Sequence, residues 1–149
     1  SSDKTAAAAP RLLNDDGTVQ ASVRNFPKFS TLVYDAFGLS KAFPRSHLFG
    51  HWRNRYFDHE TSGVVQQPMA SALMIKRETT ERLGPMDEQF FVFFSDVDYS
   101  KRIDDAGWET MFVAEAKAFH AVGGSTRQEG TWLIRDSHRG FYRYLAKQE

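Results

Sequence analysis

Cysteine is absent from this sequence, which excludes a disulfide-stapled scaffold and a thiolate metal centre and suits a cytoplasmic protein. Net charge is absent as well: nineteen Lys and Arg balance nineteen Asp and Glu. A protein that grips nucleic acid by neutralising phosphates is normally basic, so no nucleic-acid partner is expected. No apolar run approaches the roughly 18 residues of a membrane span. The opening SSDKTAAAAPRLL lacks the basic-then-apolar order of a signal peptide. Repeats and low-complexity tracts are missing too. What remains is 149 residues, 41% hydrophobic and 26% charged, a balance that suits one soluble globular domain. Thirteen Phe, five Tyr and three Trp suffice for a core and leave some aromatics for a ligand surface.

Residues 1–9 are small and polar, and they read as a flexible segment ahead of a domain over 10–149. Asn14-Asp15-Asp16-Gly17 is a turn signal, and Thr18–Val23 alternates like a short strand. The spacing predicts a short helix from Phe29 towards Leu39, stopped near Gly38. Residues 40–63 form a loop-rich, aromatic-rich insertion. Met69–Ile75 is a nearly continuous apolar run of strand length. A helix over Glu78–Leu83 ends at Gly84, with Pro85 beyond it. Phe90–Phe94 reads as extended and mostly buried. A helix then opens at Ser95, with Asp98 at capping-box distance, and closes at Gly107. Trp108–Ala114 and Ala116–Val122 read as two strands around a turn. Thr131–Lys147 reads as a helix with Ile134, Phe141 and Leu145 on one face.

Three clusters carry candidate chemistry. Asp96 and Asp98, at a helix start, can hold a cation or supply a general base; equally, they stabilise the helix dipole by about 0.3–1 kcal/mol. Asp98 also stands four residues before Arg102, an ordinary helix ion pair. Asp96 differs because it follows five apolar residues, and a dry wall raises carboxylate basicity. His120, before Gly123-Gly124-Ser125-Thr126-Arg127, suits a metal or phosphate contact, with a structural hydrogen bond as the default for a lone His. Trp52, Tyr56, Trp108 and Trp132 are able to stack on sugar rings, with core packing as the default for each.

The ordered set Gln67–Arg77, Leu83–Phe91, Phe94–Ser100, Arg102, Ala106-Gly107-Trp108, His120 and Gly123–Thr126 resembles the C-terminal half of family 2 glycosyltransferases, especially the rhamnosyltransferase-like branch. Pro10–Gln20 agrees more weakly. The resemblance implies an α/β chain with part of a GT-A-like fold, a mixed sheet with flanking helices. It also implies that the nucleotide-binding half, with its own Asp-x-Asp, lies before residue 1 as this chain's partner. The implied activity is inverting sugar transfer from a nucleotide-sugar to a saccharide or lipid-linked acceptor, in building a cell-surface polysaccharide or lipid-linked sugar. Asp96 maps onto the family's general base, with Ser95 where Glu is usual. His120 maps onto a His that completes a Mg or Mn site in relatives; Ala121 stands where many have a second His. Ser95, Asp98, Trp108, Gly123, Gly124, Ser125 and Arg127 fall on the substrate side, with Asp98 mainly structural. The chain alone is expected to hold no metal, to be inactive and to self-associate. The expected location is cytoplasmic, at the inner face of the membrane for a lipid-linked acceptor. The alternative is a non-catalytic carbohydrate- or partner-binding module of the same fold.

Overall fold

A computed structural model describes residues 4–121 and 130–148. Its centre is a four-stranded mixed sheet in the order β3-β6-β1-β5. Strand β1 (Thr5–Leu13) runs parallel to β6 (Glu109–Phe119), and β5 (Met74–Ile75) and β3 (Gly63–Val65) flank them antiparallel. The short strands β2 (Val23–Arg24) and β4 (Gln67–Pro68) pair separately, with Arg24 opposite Gln67. The helices are α1 (Phe29–Ala36), α2 (Leu39–Ala42), α3 (Arg77–Leu83), α4 (Ser95–Asp105) and α5 (Gly130–Ala146). The class is α/β, as expected.

Several expectations change. Residues 5–9 are not a flexible leader; they form most of β1, and Ala6, Ala7 and Ala9 are buried. Alanine carries little strand propensity, so nothing local announces this strand. Its small side chains instead let Tyr99 and Ile103 of α4 pack against Ala6 and Ala7. Pro10 is tolerated because β5 reaches only Ala7 and Ala8, which leaves that side of β1 an open edge. The two strands expected around Glu115 are one. β6 runs through, and the register with β1 jumps between Pro10↔Val113 and Arg11↔Lys117. Arg11 fills the break: its Nε and Nη2 both donate to the Ala114 carbonyl, at 3.0 and 2.8 Å. Thr18–Val23 contributes only a bridge at Val19 and the first residue of β2.

The apolar run Met69–Ile75 breaks into a 3-10 turn at Ala70–Ala72 followed by β5. Phe90–Phe94 is a series of bends rather than a strand. Phe90 and Phe94 are buried while Phe91 is exposed, so successive rings leave in different directions. Asp136 of α5 accepts the backbone N–H groups of Val92 and Phe93, both at 3.3 Å, which replaces the ladder bonds of a strand. On α5, Phe141 is buried, but Ile134 lies on the exposed side. The helix expected to stop near Gly38 does so, and Gly38, Gly84 and Gly107 all take positive φ.

Among the described residues, three clusters form the core. Phe26, Phe90, Phe94, Val97, Phe141 and Tyr144 join α4 to α5. Ala6, Ala7, Tyr99 and Ile103 join α4 to the sheet. Val23, Val65, Phe112 and Ala114 line the sheet beneath the insertion. Ala8, Pro10, Leu73, Met74, Val113 and Ala116 line an apolar hollow of about 570 Å³ on the sheet.

Within the insertion, Gly50 sits where a Cβ would lie 2.4 Å from the Pro44 carbonyl oxygen. Backbone cannot yield as a side-chain tip does. Gly50→Ala is therefore expected to cost about 1–3 kcal/mol. Thermal unfolding should read this as a drop of about 2–4 °C per kcal/mol at this size. Gly63→Ala, whose Cβ meets open space, should leave the midpoint unchanged or slightly raised.

Candidate active site

Asp96 occupies the first turn of α4, and its position is set by the residue two before it. Phe94 precedes the helix with φ 73°, a left-handed conformation that β-carbon-bearing residues avoid. Its ring stacks on Phe141 at 5.3 Å and lies 6.3 Å from Trp52, which itself stacks on Phe141 at 5.6 Å. The chain therefore enters α4 abruptly at Ser95. Ser95 is the first helical residue rather than the cap, and no side-chain cap bond forms. The expected capping box with Asp98 is absent because Phe94 holds the N-cap position.

The Asp96 carboxylate is partly buried between α4, β4 and the 3-10 turn. Its Oδ2 accepts from Gln67 Nε2 at 3.2 Å and from the Ala70 N–H at 3.4 Å; Oδ1 accepts from the Val97 N–H at 2.9 Å. Burial pushes its pKa above the usual carboxylate range, and the N–H donors of Ala70 and Val97 and the positive charge of Arg24 offset part of that rise. Arg24 is held over the face of Trp52, with its guanidinium carbon 5.4 Å from the ring centre; Arg53 stands at the same distance. The β2–β4 pairing brings Arg24 and Gln67 to the same carboxylate.

Asp98 has the opposite environment. It is fully buried, 2.6 Å from Lys147 Nζ and 3.2 Å from Arg102 Nε. Lys147 also meets Asp87 at 2.9 Å. Burial alone would lower the Lys147 pKa, but its bonds to Asp98 and Asp87 outweigh this and raise it. Asp98 thus ties α4 to the end of α5 and faces no ligand surface.

His120 follows β6. Its Nδ1 lies 3.0 Å from Gln20 Oε1, and Gln20 Nε2 donates back to the His120 carbonyl. The second bond fixes the amide of Gln20, so Oε1 is the atom presented to Nδ1, and Nδ1 carries the proton. In the neutral ring Nε2 is then the lone-pair nitrogen, the form that ligates metals. Among the described residues, no three His, Asp or Glu converge to hold a cation.

Trp108 does not join Asp96. It follows the C-terminal end of α4, packs beside Ala6, Tyr99 and Ile103, and lies under Arg82 at 5.5 Å. The eleven-residue helix, about 16 Å long, carries Asp96 in its first turn and leaves Trp108 beyond its last. Gly123, Gly124, Ser125 and Arg127 lie outside the described residues. Residue spacing singled out neither Arg24, Gln67 nor Gln20, since each reaches the site only through tertiary pairing. Trp52 is the exception: it stood among the candidate stacking rings, and two of its own arginines cover it.

Two curated relatives match the chain, each named N-acetylglucosaminyl-diphospho-decaprenol L-rhamnosyltransferase, from Mycobacterium tuberculosis strains CDC 1551 / Oshkosh and ATCC 25618 / H37Rv. Each is 26% identical over 143 residues, 96% of this chain and 46% of the relative. The chain spans about half the length of the curated relatives it matches. No family model matches, and no solved structure does.

Two outcomes follow from the contrast between the carboxylates. Carbon-detected NMR titration should place the Asp96 pKa above the ordinary aspartate range, and Arg24→Met should raise it further by removing an attracting cation. Asp98→Asn should lower stability by about 2 kcal/mol, short of the 3–5 of a fully buried pair because Lys147 is partly exposed and keeps Asp87. Thermal unfolding at neutral pH measures it.

Proposed function

We propose that this chain is the acceptor-side part of an inverting glycosyltransferase and that Asp96 is its general base. The observation that carries the reading is Asp96 itself: a partly buried carboxylate of raised basicity, beside a cation but not locked to it. Asp98, two residues on, is neutralised by Lys147 and Arg102. Neighbouring carboxylates whose environments drive them apart divide into a chemical and a structural role. The match to two rhamnosyltransferases over nearly the whole chain supports the same class. On this reading the mixed sheet is part of a GT-A-type fold. The apolar hollow on β1 and β6 is the face that the rest of such an enzyme covers.

In the proposed step, an acceptor hydroxyl donates its proton to a carboxylate oxygen of Asp96. The oxygen forms its bond to the sugar C1 from the face opposite the nucleoside diphosphate, which leaves with the C1–O electron pair, and the anomeric configuration inverts. Gln67 and the Ala70 and Val97 amides hold the carboxylate still while its charge is lost. The N–H of Gln20's partner imidazole leaves His120 Nε2 able to serve as one ligand of a divalent cation, with other ligands coming from outside the described residues. When bound, such a cation supplies positive charge for the departing diphosphate. On this reading the donor side belongs to residues outside this chain, so turnover is assigned to the intact transferase and not to these residues alone.

A general base is worth about 10²–10⁴ in rate. In the intact transferase, Asp96→Asn should therefore cut turnover by about 100-fold or more, while Asp98→Asn spares most of the rate. Near-normal turnover in Asp96→Asn would remove the base from this site and leave the binding-module reading.

A further inference from the structure

The insertion between β2 and β3 carries the chain's positive charge. Residues 24–56 contain six Lys or Arg and a single acidic residue, Asp35, within a protein of zero net charge. Asp35 is turned inward, accepting from Ser40 Oγ and pairing with Arg53 at 3.3 Å. Lys28, Lys41, Arg45 and Arg55 are exposed, and no carboxylate pairs with them among the described residues.

The same segment exposes its apolar residues. Phe29, Val33 and Phe37 recur every fourth position along α1 and form one strip; Phe29 is 71% and Phe37 78% exposed. Phe43 and Leu48 beyond α2 are also more than half exposed. The strip faces outward because the other side of α1 is taken: Thr31 is buried, Leu32 packs on the Phe26–Phe141 core, and Tyr34 meets Phe49 edge-on at 5.1 Å. Exposed aromatic and aliphatic tips interspersed along the segment with unpaired cations match a bilayer surface, which offers an apolar layer beneath anionic headgroups. No described helix is long and apolar enough to cross a membrane, so the element suited to this task is one that lies on it.

We infer that the 28–55 face is a membrane-docking surface that seats Phe29, Phe37, Phe43 and Leu48 in the interface of a bilayer rich in anionic lipid, with Lys28, Lys41, Arg45 and Arg55 on its headgroups. The inference stands on exposure and charge alone, so it survives or fails independently of Asp96. It would also give the insertion a place: Trp52 of the same segment packs beneath Phe94, which sets the start of α4.

Vesicle flotation tests it on this chain, using phosphatidylcholine vesicles and vesicles in which about a third of the lipid is phosphatidylglycerol. The chain should float with the anionic vesicles and not with the neutral ones. Phe29→Ser with Phe37→Ser should cut partitioning about tenfold or more without moving the melting temperature, since both rings are exposed. Lys41→Gln with Arg45→Gln should cut it by about fivefold per charge, and added salt should mimic that loss. Failure to float, equal flotation with neutral lipid, or indifference to both pairs of substitutions overturns the inference. So does a self-associated chain that ignores vesicles and becomes monomeric in the Phe29, Phe37 variant, since a second copy would then be the occupant.

Discussion

The ring stack of Trp52, Phe141 and Phe94 is the contact on which the rest of the arrangement depends. It joins three stretches distant in sequence: the insertion, the start of α4 and the middle of α5. A non-glycine residue in the left-handed region costs about 1–3 kcal/mol. Each favourable aromatic pair returns about 0.5–1.5 kcal/mol beyond its burial, so the stack is of the right size to hold Phe94 there. Gly140 completes the fit. A Cβ at that position would come within 3.0 Å of the Phe93 carbonyl oxygen and the Phe94 ring, so glycine lets α5 press against the bend. Without this corner the chain would enter α4 at another angle, and Asp96 would lose the Ala70 amide and Gln67.

Electrostatics then separates two carboxylates that look alike in sequence. Asp96 and Asp98 are two residues apart, about 200° around the helix. One turns towards β4 and the 3-10 turn, where its partners are neutral donors and the nearby Arg24 acts at a distance. The other turns towards α5 and is paired with Lys147 and Arg102. Helix geometry alone enforces this division, so a carboxylate pair at a helix start need not form a shared cation site.

Three of the helices were legible in the residues, because the glycine that follows each has a local cause: Gly38, Gly84 and Gly107 take the positive φ that stops a helix. Asp96 stood out through its place behind an apolar run, although that run is bent and not a strand. The strands were much less legible. β1 is an alanine run whose strand character comes mainly from β6, a partner far along the chain. The Met69–Ile75 run has strand composition, yet β4 pairs before it, and its first turn gives the Ala70 N–H to Asp96 rather than to a neighbouring strand. Arg24 had no signal at all, and Gln67 and Gln20 stood only at the ends of stretches that carried the resemblance, with no role read into them. Arg24 and Gln67 acquire meaning only from the β2–β4 pairing, and Gln20 from the meeting of the ends of β1 and β6.

That meeting also dictates an order of events during synthesis. The parallel partners of β1 lie about a hundred residues downstream, with Ala8 opposite Met111 and Leu13 opposite Phe119. A ribosome emits β1 about a hundred residues ahead of β6, so until β6 emerges the strand has, among the described elements, only the two-residue β5 to pair with. Long-range parallel pairing is slow to form, and an unpaired strand is a template for other chains. Alanine and Pro10 make β1 a poor template, because they offer little apolar surface and interrupt its donors. The composition that hides this strand from a reader of the sequence thus also shields the nascent chain from its neighbours.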